Sequence, residues 1–373
     1  MALFIGLMSG TSLDGVDGVL ADWSGPRLRV LAHAHQPFPP AWRAELLALN
    51  TAGPNELHRA ALAANEVSRR YAEVVRRLLH TAGLPGAEVT ALGAHGQTVR
   101  HQPQGFDGTG YTLQLINGAL LTELTGISTV CDLRSRDVAA GGQGAPLVPA
   151  FHAGLFGQPG RHVAVLNIGG IANLTLLPAD GAVTGFDCGP GNALMDGWCE
   201  RHTGRPFDES GRWAATGRVD DELLERLLQE PFFALAPPKS TGRELLHLSW
   251  LEQALQPDLV GSAAERAPQD VQATLAELTA LCAATELRRH APRTATLLVC
   301  GGGAFNQHLM GRLSAVLPEV EVASTATAGV PPDQVEALAF AWLAHAFVQR
   351  QPGNLPAVTG ARGPRVLGAW YPA

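Results

Sequence analysis

The sequence predicts an α/β protein built from two duplicated halves, and three observations carry that expectation. A plan of strand, glycine turn and strand occurs twice, at residues 2–23 and at residues 162–177. Between these hairpins an amphipathic helical repeat runs through a glycine-proline turn into a strand, the order of a layered α/β fold. The chain's 373 residues also exceed what one hydrophobic core usually organises, so two domains with a cleft between them are expected.

The first apolar run, Leu3 to Met8, reads as a buried strand, and Val16 to Trp23 as its returning partner across a Gly/Ser/Thr/Asp tip. Leu57, Ala60, Ala61, Ala64, Val67, Tyr71, Val74, Leu78 and Leu79 recur at helical spacing, with arginines and glutamates between them. Gly83-Leu84-Pro85-Gly86 then leads into a strand ending at His95. His162 to Ile168, Gly169-Gly170 and Leu174 to Leu177 repeat the opening plan. In the second half come a helix at about 269–290, a strand at 295–299, the turn Gly301-Gly302-Gly303 and a helix at about 306–317. A last amphipathic helix follows Pro331-Pro332, and the Pro/Gly-rich tail after Gln351 is expected to be irregular.

Composition narrows the function classes. Hydrophobic residues make up 46% and charged residues 16% of a chain whose apolar runs are too short for a membrane span. A net charge of −7 without a basic face argues against nucleic acid as a partner. Leu3 to Met8 lacks a basic leader and a cleavage site, so no export signal is expected. Cys131, Cys188, Cys199, Cys282 and Cys300 form no C-x-x-C pair, which fits a reducing cytoplasm. Lys239 is the only lysine. It lies in the polar loop Pro237 to Glu244, where it is expected to offer a compact cation to a phosphate or anionic substrate, or to be plain surface.

Three glycine turns after strands, at Gly10, at Gly169-Gly170 and at Gly301-Gly302-Gly303, suit phosphate binding, because only small residues let backbone N–H groups approach so closely. Each alone is also an ordinary tight turn; the set carries the inference. Neither a P-loop nor a dinucleotide fingerprint occurs. Asp14 and Asp17 flank a turn glycine and are candidates to hold hydrated Mg²⁺, a hard cation that prefers carboxylate oxygen, with simple turn solvation as the alternative. Asp187 stands before the turn Gly189-Pro190-Gly191, placed either to act as a general base or to cap the helix starting near Asn192; local sequence leaves both open. His95, Gln97 and Thr98 end a strand and offer groups for sugar hydroxyls. So does the run Asp132 to Asp137, with Arg136 as its candidate donor. Glu336 follows Asp333 by three residues, a capping-box spacing that requires no function.

Read together, Gly6 to Asp17, His95 to Thr98, Gly141 to Leu147, Asn167 to Asn173, Phe186 to Asn192, Lys239 to Glu244 and Cys300 to Asn306 resemble the anhydro-N-acetylmuramic acid kinase family, in family order and over nearly the whole chain. One departure is Cys188, where the family usually has threonine. The resemblance implies two duplicated actin-like, ribonuclease H-like domains with an ATP cleft between them. It implies boundaries at 1–128 and 129–354, with the tail 355–373 returning to the first domain, and a homodimer.

The implied reaction converts 1,6-anhydro-N-acetylmuramic acid, ATP and water to N-acetylmuramic acid 6-phosphate and ADP, in recycling of cell-wall sugars. By the same resemblance, Gly10, Thr11, Ser12, Leu13, Asp14, Gly15, Val16 and Asp17 form the ATP phosphate hairpin. Gly169 and Gly170 form a second phosphate turn, and Gly301, Gly302 and Gly303 the adenosine site. Asp187 is then the base that activates water, and Glu336 a substrate-orienting carboxylate. The rival readings are a kinase of an ordinary sugar or carboxylate, and an actin-like ATPase that reports to a protein partner.

Overall fold

The computed structural model describes all residues except 1, 11, 26–27, 104, 242–244 and 257–265. The chain divides into two compact units, Met1–Phe151 with Gln334–Ala373, and His152–Asp333.

In the first unit β1 (Leu3–Ser9), β2 (Gly15–Asp22) and β3 (Arg29–Pro37) form an antiparallel meander, with Met8 opposite Asp17 across the first turn. On the other side of β1, β4 (Val89–Gln102) runs parallel to it. Next to β4 lie β5 (Tyr111–Leu115), antiparallel, and β6 (Thr129–Cys131), parallel. The second unit repeats the order. Here β7 (Val163–Ile168), β8 (Ile171–Leu177) and β9 (Thr184–Pro190) form the meander, and β10 (Thr296–Cys300) and β11 (Glu321–Ser324) continue it in parallel beyond β7. Both sheets therefore run third, second, first, fourth and then a further parallel strand, and the duplication read from two glycine hairpins extends to whole sheets.

The helix Glu56–Ala82 buries Val67, Tyr71, Val74 and Leu78 of the apolar positions its spacing marks, while Leu57 and Ala61 near its start are exposed, and it ends on Gly83 in the left-handed conformation. The helix Val335–Val348 is not amphipathic as expected: Ala337, Leu338, Ala339, Phe340 and Ala341 are consecutively buried. It lies on β1 and β4 so closely that a Cβ on Gly6 would sit 1.8 Å from the Ala337 carbonyl oxygen, and one on Gly93 2.0 Å from that of Phe340. This contact draws residues 334–354 into the first unit, where 129–354 were expected to form one domain. Pairing of β6 with β4 does the same for 129–131.

The tail is more regular than its composition suggests. It contains the helix Pro356–Thr359 and a strand β12 (Ala369–Tyr371) that pairs antiparallel with β6. Fully buried Asp137 anchors it, accepting from Asn354 Nδ2 at 2.6 Å and Thr359 Oγ1 at 2.8 Å. In the second unit the helix Pro268–His290 is buried along nearly its whole length, and both apolar and polar side chains turn inward from it.

Candidate functional site

In the first unit the turn between β1 and β2 separates two kinds of residue. Leu13, at φ 58°, and Val16 are core side chains, and a Cβ on Gly15 would meet the Gln36 carbonyl at 2.4 Å, so these three serve packing. Gly10 has no neighbour nearer than 3.6 Å to a Cβ position. Ser12 donates to Asp14 Oδ1 at 2.7 Å, and Gly15 N–H reaches the same oxygen at 3.0 Å. Thr11 lies outside the described residues.

Asp14 is exposed, whereas Asp17 is engaged by β3: His35 Nδ1 is 2.9 Å from its Oδ1 and His33 Nε2 is 3.5 Å away. Burial pushes the Asp17 carboxyl up, but hydrogen bonds and charge from the two histidines outweigh it and leave a net lowering. Of the two carboxylates proposed for Mg²⁺, Asp14 fits a hydrated cation, being acceptor-only and open to water. Asp17 fits it poorly because its oxygen already meets two imidazoles. Among the described residues no group of three or more His, Cys, Asp or Glu forms a metal cluster.

The strand expected to end at His95 to Thr98 continues to Gln102, because its last residues pair with β5. Within it Gln97 is fully buried and donates from Nε2 to the Gly10 carbonyl at 3.1 Å, supporting the turn, while its Oε1 accepts no hydrogen bond among the described residues. His95 is buried with Nδ1 3.2 Å from the Ser9 carbonyl. Its Nε2 receives Nε and Nη2 of Arg134 at 3.1 and 3.0 Å. Burial first, and the Arg134 charge second, bring the His95 imidazole down to about 3. Desolvation lowers Arg134 itself to about 10 against the raising influence of Glu336 and Asp137.

Glu336 therefore belongs to the Arg134 environment. The helix it begins has Gln334 and not Asp333 at its N-cap, and the Gln334 side chain makes no cap bond. Thr98 Oγ1 accepts from Gln114 Nε2 at 3.2 Å. Arg136 is exposed and donates to the Val366 carbonyl at 2.9 Å, tied to the tail rather than to this group.

Sequence reasoning missed Arg134. It was visible in the run 132–137, but choosing between two arginines two residues apart needs the side-chain direction. Tyr71 was read as core alone. Its hydroxyl lies 2.9 Å from Ser9 Oγ and accepts from Gly96 N–H at 3.1 Å, bracing the same corner.

In the second unit the turn Gly169-Gly170 faces the start of the helix Asn192–Thr203. Its carbonyls accept from Asn192 N–H at 2.7 Å, Gly191 N–H at 3.1 Å and Ala193 N–H at 3.2 Å. Asn192 Nδ2 donates to the Ile168 carbonyl at 3.0 Å. The third turn joins this group. Gly301, at φ 78°, has no room for a Cβ, which would lie 2.5 Å from Asn167 Oδ1; a Cβ on Gly303 would strike Ile168 at 2.4 Å. Gly302 is exposed. Gly169 and Gly170 differ: a Cβ would meet nothing nearer than 3.8 and 3.6 Å respectively, so packing does not require glycine there. Asn167 is 6% exposed with an Oδ1 that accepts no hydrogen bond, a polar group at this turn that sequence reasoning left unassigned.

Asp187 lies on β9, opposite Asn173 of β8, and is half-buried. Its Oδ2 accepts from Thr241 N–H at 2.9 Å, and its own N–H donates to the Lys239 carbonyl at 3.1 Å. Gly191 occupies the N-cap of the following helix, so Asp187 does not cap it. Cys188 is in the core and donates its thiol to the Ala172 carbonyl at 3.3 Å. Lys239 departs from expectation: it is 7% exposed and 3.5 Å from Glu286, unavailable as a surface cation. Gly242, Arg243 and Glu244 of its motif lie outside the described residues.

The family model for anhydro-N-acetylmuramic acid kinase matches residues 2–373. An anhydro-N-acetylmuramic acid kinase of Variovorax paradoxus is 62% identical over 376 residues, covering 100% of this chain and 99% of the relative. One of Bordetella petrii is 60% identical over 373 residues, covering 100% and 96%. Among solved structures, component A of the Acidaminococcus fermentans (R)-2-hydroxyglutaryl-CoA dehydratase aligns with TM-score 0.48 at 13% identity, covering 91% of this chain and 96% of that one.

Proposed function

The chain belongs to the anhydro-N-acetylmuramic acid kinase family, and from that premise we propose that it opens 1,6-anhydro-N-acetylmuramic acid with water and phosphorylates the freed O6 from ATP. The products are N-acetylmuramic acid 6-phosphate and ADP, and the role is recycling of cell-wall sugars. The observation that carries this reading is the Asp187 carboxylate, held by the Thr241 N–H on the strand that follows the Gly169-Gly170 hairpin.

The Asp187 carboxylate takes a proton from water as the oxygen bonds to the anomeric carbon. The bond from that carbon to O6 breaks, O6 bonds to the γ-phosphorus, and ADP leaves. The proton on Asp187 returns to solvent, so the sum releases one proton. Breaking the internal bond must accompany transfer, because O6 is no acceptor while it bridges the ring; holding the reactants together supplies much of the rate.

Gly169 and Gly170 offer a turn with no side chains in the way of a phosphate, Gly10 does the same in the first unit, and Gly301 to Gly303 suit the adenosine. Gln97, Thr98, Arg134 and Glu336 supply polar groups for the sugar, and His95, with both ring nitrogens engaged, holds Arg134 in place. Asp14 would hold hydrated Mg²⁺, which when bound screens the phosphate charge. All five cysteines are buried, and their scattered spacing supports a reducing cytoplasm; no described helix is long and apolar enough to cross a membrane. A homodimer is part of the same reading.

The test is ADP release with Mg-ATP, with and without the anhydro sugar, in solvent enriched in oxygen-18. Sugar-dependent release, with one phosphate and one solvent oxygen gained by the product, is the expected result. Phosphorylation without solvent oxygen would overturn ring opening by water.

A further inference from the structure

The loop that meets Asp187 carries a lysine the reaction does not use. Lys239, the chain's only lysine, sends its ammonium inward. Nζ donates to the carbonyls of Phe232 at 3.3 Å and Phe233 at 3.4 Å, lies 5.0 Å from the centroid of the Phe232 ring, and is 3.5 Å from Glu286 Oε1. The side chains of the pair are only 2% and 3% exposed. A buried ammonium persists only where acceptors and an opposite charge meet it, and here they do. Glu286 belongs to the buried helix Pro268–His290 and is also 3.0 Å from Arg289 and 3.3 Å from His290. The lysine is thus fastened to the most deeply packed helix of its unit.

The same loop holds Asp187 from the other side. Among the described residues β9 is an edge strand, with β8 on one side only. The Lys239 carbonyl accepts the Asp187 N–H, and two residues on, the Thr241 N–H donates to Asp187 Oδ2. One contact fixes the backbone of the aspartate and the other fixes the rotation of its carboxylate. Hydrogen bonds to an ionised oxygen are among the stronger ones available for this.

We propose that Lys239 is a positioning residue, which by its anchorage on Glu286 holds the loop from Lys239 to Thr241 against β9 and so sets the direction of the Asp187 carboxylate. This rests on the reading of Asp187 as the water-activating base. Lys239 touches no reacting atom; it acts through two backbone groups of its own loop. A misdirected base loses rate while the binding groups for either substrate stay in place, so the signature is a change in kcat with little change in KM.

The experiment compares Asp187→Asn, Lys239→Met, Glu286→Gln and the last two combined in the full chain, with kcat expressed per ATP-binding site to remove any unfolded fraction. Asp187→Asn is expected to abolish turnover. Lys239→Met should lower kcat roughly 10- to 100-fold, with KM for ATP and sugar within about threefold, because small displacements of a reacting group cost rates of that order. Glu286→Gln should act in the same direction, and the double variant should be no slower than the slower single one.

Loss of turnover in Asp187→Asn together with near-normal kcat in Lys239→Met would overturn the positioning role and leave the base reading intact. Near-normal kcat in Asp187→Asn would overturn both. Should Lys239→Met fail to fold, the decision passes to Glu286→Gln and to acylation of the single lysine by an amine-reactive ester. Slow acylation in the parent, faster acylation in Glu286→Gln and a lowered kcat in that variant support the proposal. Acylation as fast as at the chain's amino terminus, or an unchanged kcat in Glu286→Gln, overturns it.

Discussion

Arg134 and His95 form a fixed donor and acceptor pair: Nε and Nη2 of the guanidinium reach Nε2 of the imidazole at 3.1 and 3.0 Å, with the Ser9 carbonyl 3.2 Å from Nδ1. An arginine cannot accept and a carbonyl cannot donate, so the two neighbours select one tautomer, in which Nδ1–H donates to Ser9 and Nε2 accepts from Arg134. With its imidazole brought down to about 3, His95 stays neutral through the ordinary pH range. It is a placed polar group and not a proton carrier.

Arg134→Lys keeps the charge but loses the planar fork that serves two donors to His95 and one to the Gly144 carbonyl at once. The expected outcome is a KM for the anhydro sugar raised by about tenfold or more, with KM for ATP little changed. Steady-state kinetics with each substrate varied check it, and a sugar KM within about twofold of the parent would count against a sugar-binding role for this pair.

Asp187→Asn preserves the shape of the side chain and removes its capacity to take a proton. A loss in kcat on the order of 10³-fold is expected, the range for removal of a general base. Calorimetric ATP binding should remain near the parent value, since none of the glycine turns is altered.

The glycines divide into two kinds that mutation should separate. Gly6→Ala places a methyl 1.8 Å from the Ala337 carbonyl oxygen, so the helix Val335–Val348 must move off β1. A stability loss of about 3 kcal/mol or more is expected from such overpacking. Gly170→Ala meets only the Ala193 methyl at 3.6 Å and should leave the thermal midpoint unchanged while raising KM for ATP. Denaturation and kinetics on both variants test the contrast.

Asp14→Asn should raise the Mg²⁺ concentration needed for half-maximal ADP release. Asp17→Asn should change that requirement less and act chiefly on stability, because Asp17 is bound to His33 and His35. Magnesium titrations of both variants distinguish the two carboxylates, and equal shifts would refute the division.

Acid should destabilise the protein before its carboxylates titrate. Burial brings His95 and His152 down to about 3 and His101 to about 4, from an ordinary value of 6.5. Between those limits the unfolded chain binds protons that the folded chain refuses, so stability is fully present above the ordinary value and declines as pH falls toward the folded ones. Asp17, with its carboxyl lowered, adds a loss of the same sign at lower pH. A lower urea midpoint at about pH 5 than at about pH 7.5 is the expected result.

The elements most legible in the sequence are those set by local pattern. Both glycine hairpins, the helix Glu56–Ala82 and the order of strand, glycine turn and helix after Thr296 follow from alternation, from the 3.6-residue period and from glycine at the turns. The apolar strand that carries Asp187 was legible for the same reason, but the turn expected at Gly189-Pro190-Gly191 is not one: Gly189 and Pro190 continue β9 opposite Ala172 and Ile171. The boundaries at 129 and 354 were not, because β6 joins β4 and the helix Val335–Val348 packs on β1 through contacts between segments far apart in the chain. The return of the tail, implied by the family resemblance, agrees with the pairing of β12 with β6.

By itself the sequence determined the α/β plan and its duplication, properties of residues and their near neighbours, whereas Asp187 was singled out as the base only by the family resemblance. Tertiary structure alone decided that Arg134 and not Arg136 meets His95, that Asp17 is taken by two histidines, and that the one lysine turns inward to Glu286. A local pattern states which face of an element is apolar and where the backbone can turn. It does not state which distant group a polar side chain will find there, and a buried charge takes its role from that partner.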